Sequence, residues 1–192
     1  MSQLYVRTAA GALPVDLESM KEYLKLDQSV TADDEYVTLL LNAAADVAER
    51  AMHGREIRSN SYQLFVDEFQ DRICLAKDVV DAASVVVEYL VDDAWTAVAA
   101  STYYVKRHVA TSEVVLAADQ SWPTDGDDVE HGVRITFSTV PGTNLETSRA
   151  AIARHVSFMY ENRGDCDPAS AQNSFVASGA DGLLGIAAVK LV

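Results

Sequence analysis

Residues 31–54 read TADDEYVTLLLNAAADVAERAMHG, and this stretch places a helix at the centre of a packed core. Val37, Leu40, Leu41, Ala44, Ala45, Val47, Ala48, Ala51 and Met52 recur at the three-and-four spacing of an α-helix. The apolar face is broad and rich in alanine, so other helices can approach it closely from several sides. Thr31 and Asp34 have the spacing of a capping box, and Asp33, Asp34 and Glu35 put negative charge where the helix dipole favours it. Gly54 offers a left-handed stop.

Working outward, PVDLESMKEYLKLD (14–27) predicts a shorter helix. Asp16 sits at its N-cap, and Leu17, Met20 and Leu24 lie on one face. Helix returns at TNLETSRAAIARHVSFMYENRGD (143–165), with Thr143 and Glu146 as a second capping box. There Ile152, Val156 and Met159 share one face, and Gly164 is the stop. The core predicted from these faces is Leu24, Val37, Leu40, Leu41, Ala44, Val47, Ile152, Val156 and Met159.

Between the helices the period changes. SYQLFVD, RICL, ASVVVEYLV, TYYVK, EVVL and VRITFS are short, β-branched or aromatic, and often alternating, which reads as strands between residues 61 and 138. The breaks between most of them are too short for parallel crossovers, which need about a dozen residues each, so antiparallel pairing follows. After Pro168 the chain carries glycines at 179, 182 and 185 and few charges. Its apolar residues fall in short clusters, which reads as an arm that orders by packing on something else.

The charge balance narrows function. Fifteen Lys and Arg stand against 29 Asp and Glu, a formal charge of −14. Residues 57–145 alone hold 6 basic against 14 acidic side chains. Duplex binding and attachment to an anionic membrane both need clustered cations, so neither is expected. Cys74 and Cys166 stand far apart, which excludes a disulfide-dense scaffold or a cysteine zinc finger and reads as two reduced thiols. No apolar run is long enough to span a bilayer, and the N-terminus lacks the pattern of a signal peptide, so a soluble protein made inside a cell is expected.

Catalytic signatures are missing from the sequence. It has no G-x-S-x-G, Walker loop, H-E-x-x-H or G-x-G-x-x-G. His53, His108, His131 and His155 share no ligand spacing. Asp125, Asp127, Asp128 and Glu130 lack the twelve-residue calcium-loop pattern and read as a solvated acidic turn. The paired carboxylates Asp33/Asp34, Asp67/Glu68, Asp92/Asp93 and Asp127/Asp128 read as solvated faces. No catalytic residue, metal ligand or cofactor is expected.

The order of the segments resembles the head–tail connector (adaptor) family of tailed bacteriophages, including its gene-transfer-agent relatives. The opening helix is carried by Leu17, Lys21, Leu24, Lys25, Leu26 and Asp27. Asp33-Asp34, Leu40, Ala43, Ala44, Glu49, Gly54 and Arg55 carry the second helix, and Tyr160-Glu161-Asn162-Arg163 is the most family-like tetrad. The resemblance runs over about residues 13–165. It implies an α+β, mainly α fold: an antiparallel helix bundle with an inserted small antiparallel β-sheet and an extended C-terminal arm.

On that reading, residues 1–167 form the adaptor domain, with helices at about 16–26, 33–53 and 145–162, and residues 168–192 form a docking arm. The arm's anchors would be Phe175, Val176, Leu183, Leu184, Ile186, Val189 and Leu191, meeting the portal protein or a neighbouring subunit. The resemblance also implies a ring of about twelve subunits beneath the portal. It adds a stopper or tail-completion partner, DNA passing through without sequence-specific binding, no membrane contact, and a place in the virion neck after synthesis in the bacterial host cytoplasm. An acidic lumen would keep DNA from sticking during passage. Two other classes fit the composition: an acidic inhibitor or DNA mimic, and a small acidic hydrolase.

Overall fold

The computed structural model describes residues 3–52, 56–77, 79–108, 111–140, 145–163 and 174–187. The chain divides into two compact units, one of residues 1–11 and 58–140, the other of residues 12–57 and 141–192. Each has its own hydrophobic core.

Among its described residues, the regular structure of the first unit is β apart from a single 3-10 turn at Ala82–Ser84. Its strands are β1 (Gln3–Ala9), β2 (Ser61–Val66), β3 (Arg72–Cys74), β4 (Val86–Val91), β5 (Ala94–Ala97), β6 (Tyr103–Arg107), β7 (Ser112–Leu116) and β8 (Val133–Ser138). Five make one antiparallel sheet in the order β1-β2-β8-β4-β5, and three make a second in the order β3-β7-β6. Strict alternation explains the core. Tyr62, Leu64 and Val66 of β2 and Val133, Ile135 and Phe137 of β8 point inward, where they meet Val87 and Tyr89 of β4, Ile73 of β3 and Val114 of β7. The acidic stretch 121–132 is pinned by Trp122, whose ring stacks on Phe69 at 4.8 Å and whose Nε1–H donates to the Gln70 carbonyl at 3.0 Å.

The second unit is helical. It comprises α1 (Leu17–Tyr23), α2 (Asp34–Ala51), α3 (Leu145–Glu161), a helical turn at residues 174–177, and α4 (Ala180–Ala187). Asp16 caps α1 as its sequence position demands, accepting from the Ser19 N–H at 2.7 Å. The faces predicted for the long helices are buried: Val37, Leu40, Leu41, Ala44, Ile152 and Val156 are core residues, while Leu24 and Met159 pack against the core half-exposed and Val47 is also only half-buried. The capping box expected from Thr31 and Asp34 is not made. Asp33 is the N-cap and makes no side-chain capping bond, and the Asp34 carboxylate is turned to Lys21 instead of back toward Thr31. Thr143 lies outside the described residues.

The expected mainly α bundle with a small inserted sheet is therefore a misreading. Helix accounts for 33% and strand for 27% of the described residues, and the strands form two sheets with a separate core. The cause is cumulative: β2, β4, β7 and β8 bury only two or three side chains each and β3 one, but all five point them into one interior. An extended C-terminal arm is likewise corrected in its described part. Residues 174–177 and 180–187 are helical, and Ala180 and Leu184 enter the helical core.

Candidate functional site

The two motifs that carry the family resemblance come together in the helical unit, at the start of α2 and the end of α3. Tyr160 Oη donates to Asp33 Oδ2 at 2.5 Å across 127 residues of sequence. Arg163 reaches the same carboxylate at 3.5 Å, and its guanidinium lies 4.6 Å from the Tyr160 ring centroid. Tyr36, one turn into α2, packs its ring at 6.2 Å from that of Tyr160. The Tyr160 hydroxyl is the main cause of a lowered Asp33 pKa, with Arg163 adding to it, and the same bond raises the pKa of Tyr160.

The neighbouring carboxylate is used differently. Lys21, 3% exposed on α1, ion-pairs with Asp34 Oδ1 at 2.8 Å and donates to the carbonyls of Gln28 at 3.1 Å and Val30 at 2.7 Å. One ammonium thus spends its three donors on the turn between α1 and α2 and on the first residue of α2. The motif residues are fasteners between helices. The group consists of a hydrogen-bonded tyrosine, a half-exposed carboxylate, a saturated Lys21 and a half-exposed Arg163 held by one ion pair.

The residues predicted to dock a partner separate by environment. Leu184 is 2% exposed in the core, and Phe175 and Leu183 pack against that core half-buried. Val176 is 58% exposed. Ile186 lies within α4, and Val189 and Leu191 fall outside the described residues. Phe175 meets His155 of α3 edge-on at 5.2 Å, and His155 Nε2 lies 3.2 Å from Ser174 Oγ. His155 is itself buried, its Nδ1 has no hydrogen-bond partner among the described residues, and burial lowers its pKa. Ligand spacing alone gave no reading of this burial; the signal in the sequence is its position three residues after Ile152, on the edge of the same apolar face.

In the β unit, the face of the large sheet turned from its core carries Phe65, Trp95, Arg134 and Glu88. Arg134 pairs with Glu88 at 2.8 Å and lies 4.3 Å from the Trp95 ring centroid, while Phe65 meets Trp95 edge-on at 6.2 Å. Leu4, Val6 and Val86 on the same sheet are exposed. Among the described residues, no group of three or more His, Cys, Asp or Glu side chains is placed to hold a metal ion, and no helix is long and apolar enough to cross a membrane.

No protein-family model matches the chain, and no curated protein matches it. Solved structures do. A chain in the neck of an empty gene transfer agent (GTA) particle, computed with C6 symmetry, aligns with a TM-score of 0.62 at 17% identity, covering 98% of this chain and 97% of that one. A chain in the virion of the native gene transfer agent particle gives 0.60 at 16% identity, covering 91% and 94%. A chain in the neck of the native particle, computed with C12 symmetry, gives 0.58 at 19% identity with the same coverage. This chain has the fold of those neck chains over nearly its whole length, and the resemblance drawn from segment order has its counterpart in that fold.

Proposed function

We propose that this protein is a structural component of the neck of a tailed phage or phage-like particle, acting as a head–tail adaptor. On this reading, copies form a ring beneath the portal protein, receive a stopper or tail-completion protein below, and surround the passing DNA without reading its sequence. The protein is made in the host cytoplasm and ends in the virion, and it performs no catalysis. The observation that carries the reading is the near-complete, two-way coverage of the likeness to chains of particle necks. The placement of Asp33, Asp34 and Tyr160 as helix fasteners supports a scaffolding role for the shared motif. A formal charge of −14 suits a wall that DNA slides past, since like charge prevents adhesion.

Within this reading, Val176 on the exposed side of the C-terminal segment, together with Ile186, Val189 and Leu191, is proposed to meet the portal or a neighbouring subunit, while Phe175, Leu183 and Leu184 hold the segment to its own unit. The test is reconstruction of particles from cells carrying the intact gene and from cells in which it is deleted. An adaptor is seen as a ring between portal and tail, and its loss gives DNA-filled heads without tails. Normal tailed particles in the deletion strain would refute the proposal.

A further inference from the structure

The two flanks of the β unit differ in charge. On one flank the large sheet ends in β5, whose residues are exposed throughout and whose outer edge has no partner strand among the described residues. The β4–β5 turn consists of Asp92 and Asp93, both at positive φ (49° and 62°), and their N–H groups donate to the Asp127 carboxylate at 3.4 and 3.3 Å. That bond brings the 125–130 stretch to the same flank, so Asp92, Asp93, Asp127 and exposed Asp125 and Asp128 gather beside the open edge.

The opposite flank is β1. The small sheet begins over β4, where Tyr103 Oη donates to the Val85 carbonyl at 3.1 Å, and runs toward β1, where Tyr5 Oη donates to the Cys74 carbonyl at 3.2 Å. Cys74 is level with Lys106 in this sheet, because Cys74 pairs with Glu113 and Glu113 with Lys106. The end of β6, itself an edge strand, therefore carries exposed Lys106 and Arg107 to the β1 side. Neither cation has an ion-pair partner among the described residues. The one nearby pair there is His108 with Glu113 at 3.0 Å.

We propose that a second copy of this chain docks flank to flank, the cationic end of β6 on one copy facing the acidic β4–β5 edge of the next. An interface between two unlike surfaces repeats head to tail and closes into a ring when the rotation permits. Charge on an edge strand discourages indiscriminate strand pairing, and here the unlike charges admit one partner and reject the other orientations. This proposal rests on the ring reading above and assigns the surfaces that build it.

Two variants test it. Lys106→Gln with Arg107→Glu turns the cationic flank acidic, avoiding a second carboxylate opposite Glu113. Asp92→Asn, Asp93→Asn, Asp125→Asn, Thr96→Lys and Asp128→Lys turn the acidic flank basic, leaving Asp127 against two lysines, with asparagine kept at the two positive-φ positions because it tolerates them. Circular dichroism melting establishes that both fold. Sedimentation velocity is then run at about 0.01 M and about 1 M salt, where the screening length falls from roughly 30 Å to roughly 3 Å. The expected result is that the native chain associates at low salt, each variant alone stays monomeric, and an equimolar mixture associates again by alternating in even-numbered rings. High salt should dissolve every assembly. Variants that associate alone as the native chain does would overturn the assigned flanks while leaving the ring reading intact. A mixture no heavier than its separate components overturns them as well, and particle reconstruction then judges the ring reading independently.

Discussion

Replacing Lys21 by Met retains most of the buried stem and removes only the ammonium, so the loss reads directly on its three bonds. Breaking a fully buried ion pair by removing one partner costs about 3–5 kcal/mol. Here the Asp34 side chain is 26% exposed and regains water, which discounts its share. The carbonyls of Gln28 and Val30 lose a charged donor, and each such bond contributes about 1.5–3 kcal/mol. A net loss of about 2–4 kcal/mol follows once partial rehydration is allowed. Urea unfolding followed by circular dichroism should show a midpoint lower by about 1–2 M at an unchanged slope. Asp34→Asn should cost less than Lys21→Met, since two of the three bonds survive. A Lys21→Met variant within about 0.5 kcal/mol of the parent, or one no worse than Asp34→Asn, would refute the assignment of Lys21 as the fastener of the α1–α2 turn.

Three further outcomes are expected. Leu184→Ala should cost about 2–5 kcal/mol by leaving a cavity in the helical core, while Val176→Ser should leave the melting temperature unchanged; equal effects would contradict their different burial. Burial lowers the His155 pKa in the folded protein, so the unfolded chain binds the extra proton first. Stability is therefore full above about pH 6.5 and declines as pH falls from there toward the lowered folded value, and His155→Gln should flatten that decline in pH-dependent unfolding. Tyr160→Phe removes the main bond that lowers the Asp33 pKa, so the Asp33 carboxyl resonance, followed by NMR, should titrate at higher pH; an unmoved midpoint would show that Tyr160 does not hold it.

The first three helices were legible because each announces itself locally: Asp16 bonds to Ser19 within one turn, and Leu40, Leu41 and Ala44 repeat within one helix. Six strands were legible by alternation. β1 was not, because its partner Ser61–Val66 lies beyond the whole of α1 and α2, and β5 was not, because a fully exposed AWTA has no inner and outer side to alternate. The balance between the two classes was misjudged for a related reason. A strand's burial depends on what covers it, and the covering sheet is invisible in any one short segment. At the candidate site, Asp33, Tyr160 and Arg163 were visible as motif residues, but their meeting is a tertiary fact. The C-terminal segment looked too interrupted to bury itself, yet Ala180 and Leu184, four apart on α4, share one helical face and reach the core.

The position of β8 has a consequence for how the molecule is made. It lies between β2 and β4 in the five-stranded sheet, yet it is the last of the five to leave the ribosome. Until residue 138 has emerged, β1-β2 and β4-β5 can exist only as separate two-stranded ribbons, each marginal in water. The β1-β2 ribbon must in addition close over the whole α1–α2 segment. The β unit should thus fold late and all at once, with an unfilled central slot on the nascent chain, and slow translation before residue 133 would lengthen the time during which that slot is open to other strands.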